Sequence, residues 1–118
     1  MGQEKAEEKV EHILTDKRLS ALKALLEKDH AIDCIFLLHL GKGRWKDAKE
    51  FIRSKLDRTI SDGTFRARMM EIVDQGLAES VAIDPLKNYY VKTEFGGKVA
   101  ELLLDFFDKA EAQMRKVS

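Results

Sequence analysis

Ser61-Asp62-Gly63-Thr64-Phe65-Arg66-Ala67-Arg68 gathers two guanidinium groups, two hydroxyls and a glycine in eight consecutive residues. These groups suit recognition of a nucleic acid. An arginine can offer a bidentate fork to guanine, a hydroxyl can serve a base or a phosphate, and a glycine lets the backbone approach closely. On a helix beginning at Ser61, the residues Asp62, Gly63, Thr64, Arg66 and Ala67 point outward near its start. Arg66 is then the base reader and Arg68 a phosphate grip. The competing reading of Arg66 and Arg68 is a solvated surface pair.

Charge distribution favours the first reading. The 118 residues carry 21 basic and 21 acidic side chains, so net charge alone argues against a nucleic-acid binder. Lys42 to Arg68, however, holds nine basic residues against four acidic ones, an excess of five, and the remainder of the chain is acidic by the same amount. Such asymmetry is expected of a domain with one nucleic-acid face.

Other chemistries find less support. The chain has one cysteine, Cys34, which excludes an internal disulfide and a cysteine-based zinc site. Its setting in Ile32-Asp33-Cys34-Ile35-Phe36 reads as a buried, inert thiol. His12, His30 and His39 fall on different segments, so no metal site is expected. There is no Gly-rich phosphate loop, nucleophile elbow or metal-spaced His/Glu motif, so neither an enzyme nor a cofactor is expected. The longest apolar run, Cys34 to Leu38, is far short of the roughly 20 residues that span a bilayer. With a charged N-terminus, a cytoplasmic protein without membrane contact is expected.

The elements that must position the basic segment follow from periodicity. Residues 3 to 28 read as one long helix or two abutting ones, with Thr15-Asp16 a plausible break. Asp29 is expected to cap a central apolar helix from His30 to about Leu40, closed by Gly41-Lys42-Gly43. Trp45 to Leu56 forms a third helix that turns Trp45, Ala48, Phe51, Ile52 and Leu56 inward. Ser61 caps a fourth, running to about Gln75 with Phe65, Met69 and Ile72 buried and Gly76 stopping it. Leu77 to Ile83 and Tyr89 to Thr93 read as a β-hairpin around Asp84-Pro85-Leu86-Lys87-Asn88. Glu94 to Val117 is helical again.

That order predicts a mainly α fold with a small β-hairpin, a winged helix-turn-helix with long N- and C-terminal helices. One domain over 1–118 is expected: an N-terminal extension over 1–28, a core over 30–93 and a terminal helix over 94–117. The fourth helix becomes the recognition helix and Lys87-Asn88 the wing. Expected DNA contacts are Arg44, Lys46, Ser61, Asp62, Gly63, Thr64, Arg66, Arg68, Lys87 and Asn88.

Gly41 to Leu104 resembles the winged-helix regulators of the HxlR/PadR/MarR kind, most nearly the HxlR-like type. The residues that carry the likeness are Gly43-Arg44-Trp45, Ile60-Ser61 with Thr64-Phe65, Asp74-Gln75-Gly76-Leu77, and Tyr90 with Thr93 and Gly96. The resemblance implies a homodimeric transcription regulator with terminal helices at the dimer interface. Val10, Ile13, Leu14, Val99, Leu103, Phe106, Phe107, Ala110 and Met114 are the interface residues expected on that basis. Expected partners are thus double-stranded DNA and a second copy. A winged-helix protein-interaction module and a non-specific architectural DNA coat remain the alternatives, and Met70 and Val73 on the recognition helix fit a protein contact.

Overall fold

A computed structural model of the protein describes residues 2–84 and 87–117, with the side chains of Ile83, Asp84 and Lys87 outside the description. Its elements are α1 (Gly2–Thr15), α2 (Lys17–Leu26), α3 (Ala31–His39), α4 (Trp45–Lys55), α5 (Asp62–Asp74), β1 (Ala78–Asp84), β2 (Lys87–Lys92) and α6 (Glu94–Val117). The described chain is mainly α, with one two-stranded antiparallel sheet.

The helix boundaries have local causes. Asp16 breaks the N-terminal helix by accepting the Leu19 N–H at 2.9 Å, and Ser20 Oγ donates to the Leu14 carbonyl at 2.9 Å, fixing the angle of α1 on α2. Two helices end on a glycine in the left-handed region, Gly41 at φ 75° and Gly76 at φ 80°. At each end the following N–H groups bond back to the last turn: Lys42 to Leu37 O at 2.8 Å, Leu77 to Ile72 O at 3.0 Å. This is the Schellman arrangement.

The start of α3 differs from expectation. His30, not Asp29, occupies the N-cap, at φ 65° and without a side-chain capping bond. Asp29 is used otherwise: its backbone carbonyl accepts Arg68 Nε at 2.7 Å. His30 Nδ1 instead lies 3.1 Å from Asp33 Oδ2 within the first turn.

Helix α3 is central, burying Ala31, Cys34, Ile35, Leu37 and Leu38. Around it gather Ala48 and Ile52 of α4, Phe65, Met69 and Ile72 of α5, Leu77, and Val99 and Ala100 of α6. Among the described residues no polar side chain is buried, so apolar burial and backbone bonding hold this interior.

The hairpin is tighter than expected. β1 continues through Asp84 and β2 begins at Lys87, with Ser80 opposite Tyr90, Val81 opposite Tyr89 and Asn88 opposite Ala82. A register irregularity between Ala82 and Asp84 takes up the extra residue. Lys87 and Asn88 therefore belong to a strand rather than the turn; Pro85 and Leu86, also expected in the turn, lie outside the described residues.

The terminal helices reach beyond the core. α1 buries no residue, and of the 24 residues in α6 only Gly96, Val99 and Ala100 are buried. Val99 is thus corrected from interface to core, because the first turns of α6 lie against α3. The same apolar stripe then runs on, uncovered, through Phe106 and Met114 to Val117. The radius of gyration is 16.4 Å, against about 13.5 Å for a compact domain of this length.

Candidate nucleic-acid interface

Helices α4 and α5 are joined through residues 56–61, and an aromatic cluster sets their relation to the hairpin. The Phe65 ring lies 5.2 Å from that of Trp45 and 6.5 Å from that of Tyr90, centroid to centroid. Trp45 is therefore packing, and α5 is held by its buried side against both α4 and β2. The Tyr90 N–H donates to the Gly43 carbonyl at 3.1 Å, so the segment before α4 lies alongside β2.

Ser61 caps α5 as expected. Its Oγ accepts the Thr64 N–H at 3.1 Å and donates to Thr64 Oγ1 at 2.9 Å. Both hydroxyls are thus organised around the positive end of the helix, where backbone N–H groups attract anions. Asp62 is half-buried and accepts Arg66 Nε at 3.0 Å, an exposed pair one turn apart. Gly63 is exposed, and a side chain there would meet nothing within 4 Å. Ser61, Gly63, Arg66 and Ala67 form the open face of the first turns.

Arg68 departs from its expected role. Its side chain is only 20% exposed, its Nε bonds the Asp29 carbonyl, and its Nη1 lies 2.5 Å from Glu71 Oε1. Glu71 also receives Lys28 Nζ, and that bond, with Arg68, holds the Glu71 carboxyl below the ordinary carboxylate range. Arg68 ties α5 to the segment before α3 rather than facing a phosphate. Two residues beyond Arg66, it falls near the buried stripe of Phe65, Met69 and Ile72.

Arg44, Lys46, Lys49, Arg53 and Lys55 are exposed, and among the described residues none has an acidic partner. Lys46, Lys49 and Arg53 recur at helical spacing and share a face of α4. Arg44 lies with its guanidinium carbon 4.8 Å from the Tyr89 ring centroid, which orients the charge without neutralising it. Asn88 is exposed on β2, while the side chain of Lys87 is outside the described residues.

Three contacts had no signal in the sequence, because their partners are distant along the chain. Tyr89 steadies Arg44. Arg58 reaches Asp33 at 3.0 Å, linking the α4–α5 connection to α3. Lys92 Nζ bonds the His39 carbonyl at 3.2 Å, placing a cation at the C-terminal end of α3. Cys34 is fully buried, and burial pushes its thiol up to about 12, which makes it inert at neutral pH.

Comparison with protein-family models, curated proteins and solved structures finds no match to this chain.

Proposed function

We propose that this protein is a sequence-specific, dimeric DNA-binding transcription regulator. In this reading the α4–α5 pair and the hairpin form a winged helix-turn-helix, with α5 reading the major groove from its N-terminal turns. The observation that carries it is the set of five exposed cations from Arg44 to Lys55, with no ion pair among the described residues, in the segment that leads to the open, capped start of α5. Cations without carboxylate partners are free to neutralise phosphates, and the counterions so released drive much of DNA affinity. Arg66 reads a base edge, Ser61 and Thr64 lie beside the backbone, Lys46 contacts phosphate, and Asn88 lies on the wing. Arg68 has no contact role in this scheme.

The dimer half of the proposal draws on the apolar overhang of α6. Phe106, exposed to 63%, and Met114, to 65%, extend a stripe that begins in the core. A second copy related by two-fold symmetry would cover it and place two recognition helices about 34 Å apart.

Selection from a random pool of duplexes tests the proposal. The expected product is a near-palindromic motif with half-sites one helical turn apart. Retention of all sequences alike, with steep salt dependence, would instead make the protein an architectural coat. A second reading, a protein-docking module, is favoured by one observation: Met70 is 61% exposed on the far half of α5. No retention of any duplex at low salt would select it.

A further inference from the structure

Helices α3, α4 and α6 wall a cavity of about 290 Å³, with the α4–α5 connection along one side. Phe36, Leu37, Phe51, Leu56 and Leu104 make most of its lining. An apolar cavity of roughly 150 Å³ takes one benzene. This one therefore suits a body of about two fused rings, in the size range where small-molecule sites begin.

Asp33, His39 and Arg58 also share the wall. The two charges among them answer each other: Asp33 Oδ2 lies 3.0 Å from Arg58 Nη1, and 3.1 Å from His30 Nδ1. Neither an anion nor a cation therefore gains net attraction, and either would lose its hydration among phenyl and leucyl groups. Lys42, whose ammonium rests 5.6 Å from the Phe51 ring centroid, stands outside the lining. His39 differs, because its tautomer is set from outside the cavity. The Lys92 ammonium, a donor only, lies 3.1 Å from His39 Nδ1. Nδ1 therefore accepts, and the ring proton sits on Nε2. Among the described residues no acceptor meets that N–H.

We infer that this cavity binds a neutral, largely apolar small molecule of about a dozen carbons that carries one accepting oxygen, such as a ketone carbonyl. Its body fills the space between Phe36, Phe51 and Leu104, and its oxygen accepts the His39 Nε2–H. Apolar walls with a few polar groups that fix orientation are the usual make-up of such sites. Binding requires neither DNA nor a second copy, so it stands or falls apart from the proposed function.

Three naphthalenes substituted at the same ring position test this: acetylnaphthalene, ethylnaphthalene without the oxygen, and naphthoate with a full charge. Each is titrated into isotope-labelled full-length protein, and NMR follows the backbone amides and the His39 ring nitrogens. The expected result is saturable binding of the ketone with a dissociation constant of about 1 mM or tighter. Shifts should centre on Phe36, Phe51 and Leu104, and His39 Nε2 should move with them. The hydrocarbon should bind at least about threefold more weakly. Naphthoate should bind at least about tenfold more weakly. Leu104→Trp, at an exposed position that spares the fold, should block the cavity and abolish binding. His39→Phe should bind ketone and hydrocarbon alike. Naphthoate binding as tightly as the ketone would overturn the inference. So would the absence of saturable shifts, as expected if a second copy covers the groove. Full ketone affinity in Leu104→Trp would place the ligand elsewhere and overturn it too.

Discussion

A methyl group on Gly96 would sit 1.8 Å from the Leu77 carbonyl oxygen, so the start of α6 and the chain entering β1 touch backbone to backbone. The contact is clamped by Thr93. Its N–H bonds the same Leu77 carbonyl at 3.0 Å, its hydroxyl donates to Gly76 O at 2.7 Å, and that hydroxyl accepts the Gly96 N–H at 3.0 Å. Gly43 makes a second such joint, where an added methyl would sit 1.8 Å from the Tyr90 carbonyl oxygen.

Gly96→Ala and Gly43→Ala should therefore destabilise the fold by about 2–3 kcal/mol each, since backbone rather than a flexible side chain must give way. Gly63→Ala is the contrast. It meets open space inside a helix and should stabilise by up to about 1 kcal/mol, while weakening DNA binding by blocking close approach. Urea denaturation and duplex titration of the three variants check both statements. Equal stability losses at all three glycines would contradict them.

Arg66 and Arg68 should separate cleanly. Arg68→Ala removes bonds to Asp29 O and Glu71 and should cost about 1–2 kcal/mol of stability, with DNA affinity of the folded protein little changed. Arg66→Ala breaks only an exposed pair with Asp62 and should alter stability by less than about 0.5 kcal/mol. Its DNA affinity should fall by about 1–3 kcal/mol.

Removing the capping hydroxyl in Ser61→Ala should cost about 1 kcal/mol, whereas Ser61→Asp should restore the cap. The aspartate adds negative charge where DNA phosphate is placed, so Ser61→Asp should bind duplex more weakly than the original chain despite equal stability. Thermal melts beside affinity measurements would show this.

Acid should weaken the brace at Glu71. Its folded carboxyl titrates below the ordinary value of 4.5, chiefly through the Lys28 bond, so its stabilisation is present above pH 4.5 and fades as pH falls through the lower folded value. Glu71→Gln should be less stable by about 1 kcal/mol at pH 7, and the gap should narrow as pH falls below 4.5. A gap that persists in acid would show that the ion pairs are not its source.

Much of the fold was legible because local chemistry sets it. Ser61, Asp16, Gly41 and Gly76 mark boundaries by capping or by left-handed backbone, effects carried within a few residues. The buried stripe of Phe65, Met69 and Ile72 follows from helical period alone. What was misread depended on distant partners. Asp29 has the composition of an N-cap, but His30 at φ 65° takes that position, and the Asp29 carbonyl is bonded by Arg68 from 39 positions away. Arg68 looks like a surface cation, yet Asp29 and Glu71 draw it inward. Val99 sits on the same stripe as Phe106, and only the placement of α6 on α3 shows where core ends and overhang begins. Gly43, Gly76, Tyr90, Thr93 and Gly96 all form structural joints whose partners no local pattern names.

The most direct measurement is fluorescence anisotropy of labelled duplex with the original chain, Lys46→Ala and Arg66→Ala across a salt series. Binding should be evident at low salt, and the logarithm of affinity should fall linearly with the logarithm of salt concentration. Lys46→Ala should reduce that slope by about one, and Arg66→Ala should lose preference for a selected site. No duplex binding by the original chain at low salt, or affinities unchanged in both variants, would contradict the assignment of this face to DNA.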